Sequence, residues 1–155
     1  LPAENVDLLA LTRTVLDRIN GAAAERGLRV YLEGEKAVIS GTRQILDEMI
    51  YNLLDNAVKY NRQNGEIRVS IKKTGAEIEF SVSDTGIGIA PSEQGRIFER
   101  FYRVDKSRGK AAGGTGLGLS IVKHGAALHK ASVEVRSDGA SGSCFTLRFE
   151  QQFYI

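Results

Sequence analysis

Two stretches of this chain keep different hydrophobic periods, and the change between them constrains the fold more than any other feature. From Thr42 to Tyr60 apolar residues return at Leu46, Met49, Ile50, Leu53, Ala57 and Tyr60, the stripe of an amphipathic helix. From Glu66 to Lys72 and from Ala76 to Ser83 they alternate or run apolar with β-branched residues, and Thr74-Gly75 between them suits a hairpin. The chain therefore passes from helix to sheet at the Asn64-Gly65 turn signal. Upstream, Val6, Leu9, Val15, Leu16, Ile19 and Ala23 predict a helix from Val6 to about Glu25, with Gly27 as its stop. Short strands are expected over Leu28 to Leu32 and near Ala37 to Ser40. Downstream, a helix from about Leu117 to Leu128 precedes strands Ser132 to Ser137 and Ser143 to Glu150, which flank a turn-rich Asp138 to Gly142. The sum is an α+β two-layer sandwich, a mixed sheet of about five strands covered on one face by about three helices. No repeat or internal boundary interrupts it, so residues 1–155 read as a single domain.

Composition closes off several classes. With 155 residues, 42% hydrophobic and 26% charged, the chain matches one globular domain with its own core. It contains no apolar run of the ~18 residues needed to cross a bilayer, and its first residues lack a signal-peptide pattern. A formal charge of +2 is too small to argue for nucleic acid or a membrane surface. The one cysteine, Cys144, cannot form an internal disulfide, and its neighbours Phe145, Leu147 and Phe149 suggest a buried strand thiol in a reducing compartment.

The chemistry concentrates between Gly86 and Gly118, a stretch too long to be an ordinary loop and broken only by a short helical pattern near Glu93 to Phe101. At one end a strand runs into Asp84-Thr85-Gly86-Ile87-Gly88-Ile89, a carboxylate followed by two glycines. At the other, Gly113-Gly114-Thr115-Gly116-Leu117-Gly118-Leu119 opens a helix whose outward amides favour anions. Neither element fits the dinucleotide or P-loop patterns. From Pro91 to Ala112, Arg96, Arg100, Arg103, Lys106, Arg108 and Lys110 outnumber Glu93, Glu99 and Asp105, which biases the segment towards polyphosphate. Any one of these cations taken alone reads as a solvated surface residue. Phe98, Phe101 and Tyr102 are too apolar for a free loop and are expected to clamp it onto the core or a ligand.

The helix Thr42 to Tyr60 supplies the facing wall. Glu48, Asn52, Asn56 and Lys59 fall in one band beside its apolar stripe. Asparagine is a middling helix former, so a pair one turn apart needs a reason. Hydrogen bonding to a carbonyl is one. The other is a metal site, since amide oxygens are hard ligands suited to magnesium, which takes one or two protein groups plus waters and substrate phosphates. Lys59 on the same band can reach a phosphate.

These residues resemble the ATP-binding domain of bacterial sensor histidine kinases over nearly the whole chain, Val6 to Phe149. Asn52-Leu53-Leu54-Asp55-Asn56-Ala57-Val58-Lys59-Tyr60 is similar to the family's N box and Asp84-Thr85-Gly86-Ile87-Gly88 to its first glycine box. Phe98-Glu99-Arg100-Phe101-Tyr102-Arg103 is similar to the F box and Gly114-Thr115-Gly116-Leu117-Gly118-Leu119 to the second glycine box. Four boxes in the family's order and spacing are a specific match. The resemblance implies the fold shared with gyrase and heat-shock chaperone ATPases, with ATP and Mg2+ held under a flexible lid of about residues 89–115. It implies that Asp84 accepts from the adenine amino group and that Tyr60 packs on the base. Asn56 and Asn52 would hold the metal, and Lys59 and Arg103 would position phosphates. Gly86, Gly88, Ile89 and Phe98 would border the nucleotide, and Gly114, Thr115, Gly116, Leu117, Gly118 and Leu119 would close on it. A carboxylate at position 84 would repel the carbonyl that guanine presents there, so base choice should rest on Asp84. One departure is Lys130-Ala131, where the family usually shows paired glycines, and the tail Gln151 to Ile155 fits no family element.

The same resemblance implies transfer of a phosphoryl group to a histidine on a separate dimerising hairpin, which would precede Leu1 and is expected to be absent here. His124 and His129 lack the acidic neighbour of an acceptor and read as surface or packing residues. The chain is thus expected to bind ATP as a monomer without phosphorylating itself. Its parent is expected to be a homodimer anchored in the bacterial cell membrane, with this domain in the cytoplasm and a response regulator downstream. Two other functions compete. An ATP-hydrolysing switch of the gyrase or chaperone type would need a glutamate base where this helix has Asn52, with Glu48 a weaker candidate. A nucleotide-sensing interaction module would bind without transfer.

Overall fold

The computed structural model describes residues 3–102 and 117–151. Among them the order is β1 (Glu4–Asp7), α1 (Leu8–Glu25), β2 (Arg29–Gly34), β3 (Val38–Gly41), α2 (Arg43–Lys59), β4 (Glu66–Thr74), β5 (Glu77–Asp84), α3 (Gly118–Leu128), β6 (Ser132–Arg136) and β7 (Ser143–Glu150). The main sheet runs β2-β4-β5-β7-β6. Its β2 and β4 are parallel, joined across α2, and the remaining pairs are antiparallel, which makes the sheet mixed.

Strand alternation decides which face meets the helices. Leu32, Val69, Val82, Phe145 and Val135 lie in register across all five strands, beside a second row in which Ile71, Phe80 and Leu147 are fully buried. From α2 the expected stripe of Leu46, Met49, Ile50, Leu53 and Ala57 is buried, and Leu54 and Val58 join it. Each of the buried Leu, Ile, Met and Val side chains contributes about 1.5 to 3 kcal/mol. One residue out of phase, the row Glu33, Ser70, Ser81, Thr146 and Glu134 forms a polar opposite face. Cys144 shares that phase. It is half-buried rather than core, because strand period turns it away from Phe145.

Three further expectations are corrected. Val6 belongs to a strand, not to the first helix: β1 pairs antiparallel with β3, placing Val6 opposite Ile39. The helix begins one residue after Asp7, whose Oδ1 accepts from Leu9 N at 3.0 Å and Ala10 N at 3.4 Å. The first strand after α1 is shifted to Arg29–Gly34. The helical stretch expected near Glu93 to Phe101 is a run of turns, with amides of Glu93, Gln94, Arg96, Glu99 and Tyr102 each bonding three residues back. Gly95 within the run and the missing α-type bonds keep it from closing into a helix.

Helix ends matter for the site. The α1 terminus is a Schellman motif: Gly27 has φ +66°, Gly27 N donates to Ala24 O at 3.0 Å and Leu28 N to Ala23 O at 3.0 Å. This turn aims Arg26 at the last turn of α2, where its guanidinium donates to the carbonyls of Val58, Lys59 and Asn61, the Lys59 bond at 2.7 Å. Of the three, the Lys59 carbonyl is the one such a helix end would otherwise leave without a partner, while that of Val58 also accepts from Asn61 N at 3.3 Å. At the other end of α2 the Thr42 amide donates to Nε2 of His129 at 3.0 Å, tying α3 to α2. Among the described residues no helix is long and apolar enough to cross a membrane.

Candidate functional site

The C-terminal turn of α2, the Asp84–Ile89 loop and the β6–β7 loop meet at one corner of the sheet. Tyr60 is half-buried at the C-cap of α2, and its carbonyl accepts from Ile87 N at 3.1 Å. Gly86 lies so close beneath that turn that a Cβ there would fall on the Tyr60 carbonyl oxygen. Gly88, with φ +75°, presses against the backbone of Gly139 and Ala140. Both glycines are therefore required by close backbone approach.

Asp84 ends β5 at this corner. Its Oδ1 accepts from Gly86 N at 2.8 Å and its Oδ2 from the Ser143 hydroxyl at 2.8 Å. Burial raises its pKa above the usual carboxylate value, and the bonds from Gly86 and Ser143 only partly oppose that. A partly desolvated carboxylate held on both oxygens is a fixed acceptor, suited to reading an amino group.

Supporting residues that sequence reasoning missed hold the loops. Asn61, only 3% exposed, accepts from Arg62 N at 2.8 Å and from the Thr85 hydroxyl at 2.9 Å, and donates to Glu66 O at 3.1 Å. Thr85 Oγ1 also takes the Glu66 amide at 2.9 Å. Ile89 N donates to Ser137 Oγ at 2.8 Å, and that hydroxyl donates to Gly142 O at 2.6 Å. Gln94 bridges Ile89 O and Ser137 O at 2.9 and 3.0 Å. Asp138 caps the β6–β7 loop, and bonds from Ser141 and Ala140 lower its pKa to about 2. The only local cue to these partners was the polar turn chemistry of Asp138 to Gly142.

On the outer band of α2 the two asparagines differ. Asn52 Nδ2 donates to the Glu48 carbonyl at 2.7 Å, which leaves Oδ1 as its available acceptor. That oxygen faces the start of α3, 2.9 Å from where a Cβ on Gly118 would stand, so Gly118 admits no side chain without displacing it. Asn56, one turn on, is half-buried, and its side-chain amide takes no hydrogen bond among the described residues. Lys59 pairs with Asp55 at 2.8 Å, so its charge is already partly answered within the helix. Leu117 and Leu119 flank Gly118 and are half-buried. Phe98 sits edge-on to Phe145, ring centroids 6.2 Å apart, and Tyr102 is stacked by Arg96, while Phe101 is exposed. The clamp is therefore onto the core at Phe98. Arg103, Gly114, Thr115 and Gly116 lie outside the described residues. His124 is exposed and His129 packs between helices, the surface and packing positions expected of them.

The donor set fits magnesium. No group of three His, Cys, Asp or Glu side chains gathers among the described residues, so no all-protein carboxylate cage competes. Amide oxygens such as those of Asn52 and Asn56 would suit the one or two hard protein ligands that magnesium takes when phosphates and waters supply the rest.

The chain is similar over most of its length to known proteins. It is 40% identical over 144 residues, 92% of its length, to the sensor-like histidine kinase SenX3 of Mycobacterium tuberculosis, and covers 35% of that protein. It is 41% identical over 151 residues, 96% of its length, to the phosphate regulon sensor protein PhoR of Pseudomonas aeruginosa, and covers 34% of it. The chain thus spans about a third of the length of these curated relatives. Among solved structures, full-length ShkA in complex with AMPPNP superposes with a TM-score of 0.85 at 28% identity, over 99% of this chain and 32% of that one. The profile of the histidine kinase-, DNA gyrase B-, and HSP90-like ATPases matches residues 41–152, and the chain belongs to that family.

Proposed function

We propose that the chain binds Mg-ATP at the corner formed by α2, the Asp84–Ile89 loop and the start of α3, and presents the terminal phosphate to a histidine on a separate dimerisation domain. The observation that carries this reading is the paired hold on Asp84, a partly desolvated carboxylate fixed by Gly86 and Ser143 beside a helix end that bears Tyr60. Asp84 reads the adenine amino group. Lys59 and Arg103 meet phosphates, and Asn56 with Asn52 holds the metal, which would neutralise charge on the transferring group. Phosphoryl transfer needs little else from this chain, since positioning and charge neutralisation dominate it.

AMPPNP, the ligand named for ShkA, is an ATP analogue, and the SenX3 and PhoR names support a place in two-component signalling. The parent is accordingly a sensor kinase dimer that passes phosphate to a response regulator, with this domain on the cytoplasmic side of the membrane. Glu48 gives a hydrolytic switch little support, since its side chain is exposed on the outside of α2.

Thermal unfolding with Mg-ATP and Mg-GTP tests the site. Ligand at 100 times its dissociation constant adds about 2.7 kcal/mol, and each kcal/mol raises the midpoint by ~2 to 4 °C at this size. A rise with ATP alone is expected, as is label on an added dimerisation hairpin from γ-labelled ATP. Steady phosphate release by the chain itself, without labelling, would overturn the kinase reading in favour of the hydrolase. No shift with either nucleotide would overturn nucleotide binding and favour an interaction module.

A further inference from the structure

We propose that Arg62 is a specificity-determining positioning residue, which sets the place of the Asp84 carboxylate by clasping the two loops on either side of it; the inference rests on the nucleotide reading above. Arg62 follows the end of α2. Its Nε donates to Gly86 O at 3.3 Å, and its Nη2 donates to Ala140 O. The two carbonyls belong to separate segments, the loop after β5 and the loop between β6 and β7. At their roots stand Asp84 and Ser143, joined by the 2.8 Å bond from the hydroxyl to Oδ2. Arg62 closes the far side of the same ring.

The coupling to Asp84 passes through one residue. Gly86 offers its carbonyl to Arg62 and its amide to Asp84 Oδ1, so a shift of Gly86 moves a donor off the carboxylate. The opposite arm works alike: Gly142 lies so close to Asp84 that a Cβ there would fall on the Asp84 carbonyl oxygen, and Ala140 is two residues away. A forked guanidinium can donate along two directions at once, which a lysine ammonium does not reproduce at two separated carbonyls.

Arg62 is exposed. Ala140 is exposed as well, so water can take its carbonyl, whereas Gly86 is buried and its carbonyl loses this donor when Arg62 is truncated. Arg62→Lys, which keeps a donor for one of the two carbonyls, should therefore fold close to the wild type while the loops relax. Arg26 is the instructive contrast, a half-buried guanidinium that takes three carbonyls at the end of α2 and touches neither loop. Two arginines thus brace one corner, one acting on stability and the other on recognition.

Titration calorimetry on the full 155-residue chain would compare Mg-ATP with Mg-ITP, which carries a carbonyl in place of the 6-amino group. Arg62→Ala and Arg62→Lys are each expected to weaken ATP about tenfold and to leave ITP unchanged, so the ATP preference falls by the same factor. The nucleotide-free midpoint should stay within about 2 °C of the wild type for Arg62→Lys. Arg26→Met is expected to lower that midpoint and keep the preference. An unchanged preference in the Arg62 variants, in a wild-type chain that does select ATP, overturns this inference alone and leaves Arg62 a surface staple. An equal loss of preference in Arg26→Met also overturns it, because the effect is then general loosening. A wild-type chain that binds neither nucleotide overturns the nucleotide reading and this inference with it.

Discussion

The hydroxyl of Ser143 donates to Oδ2 of Asp84 at 2.8 Å because β5 and β7 pair in a register that sets the two residues opposite each other. This contact holds in place a carboxylate whose ionised form burial disfavours. The folded-state pKa lies above the ordinary value, so the native chain binds a proton more tightly than the unfolded one. Stability from this group is present below the unfolded pKa and is lost as pH rises through the folded pKa. Asp84→Asn removes that cost at neutral pH while keeping an acceptor for Gly86 N. The variant should unfold no earlier than the wild type at pH 7 without nucleotide, yet bind Mg-ATP roughly 10- to 150-fold more weakly. Melting both proteins from pH 4 to 7 checks the sign: the wild type should gain on the variant as pH falls. A variant that is less stable at pH 7 and binds ATP normally would place Asp84 in the scaffold.

Lys59 is held by Asp55 within a helical i,i+4 pair at 2.8 Å. Such pairs contribute about 0.3 to 0.5 kcal/mol, so breaking this one should hardly move the unfolding midpoint. If Lys59 meets phosphate, Asp55 competes for it. Asp55→Asn should then tighten Mg-ATP about two- to fivefold at low ionic strength, with the gain shrinking as salt is added. Calorimetry at two salt concentrations measures this directly, and equal or weaker binding at low salt would remove Lys59 from the phosphate contacts.

The elements legible in the sequence are those whose signal is local. The stripe of α2, the β4–β5 hairpin and the glycines that permit close approach all announce themselves within a few residues. Val6 was ambiguous, because one apolar residue three before Leu9 fits a helix as well as a strand, and only its pairing with Ile39 decides. Cys144 was misplaced by its apolar neighbours, although the strand period itself puts it on the other face. Ser143, Ser137, Asn61 and Arg62 carry no local mark at all. Their roles come from register and loop contacts between segments distant in sequence, such as Asp84 and Ser143, which are 59 positions apart. Long-range pairing of that kind is not written in hydrophobic period.

His129 joins α3 to α2 through both ring nitrogens. Nε2 accepts from Thr42 N at 3.0 Å, so the ring proton belongs on Nδ1, which donates to Gly125 O at 2.8 Å. The bond also caps an α2 N-terminus that has no side-chain cap of its own. Nitrogen-15 correlation spectra of the imidazole should show the Nδ1–H tautomer. His129→Ala should cost about 1 to 2 kcal/mol, a fall of roughly 2 to 8 °C in the midpoint, whereas His124→Ala on the exposed face should change it little. Similar losses from both substitutions would mean that the bridge contributes nothing.

Lys130 takes φ +54° in the turn that ends α3, the left-handed region that a side chain makes costly. The turn is a Schellman motif, with Ala131 N donating to Ala126 O at 2.8 Å and Lys130 N to Ala127 O at 3.2 Å. Glycine at this position removes about 1 to 2 kcal/mol of backbone cost and returns roughly 0.5 to 1 kcal/mol through its freer unfolded chain. Lys130→Gly should therefore stabilise the chain by about 0.5 to 1 kcal/mol, raising the midpoint by ~1 to 4 °C. Ala131 does not have a positive φ, so Ala131→Gly gains nothing and should lower the midpoint through unfolded-state entropy alone. Of the two glycines usual here in the resembling kinases, the first answers a conformational demand that this chain meets with a strained lysine. Opposite shifts from the two single substitutions would locate that demand at position 130, and matching shifts would refute it.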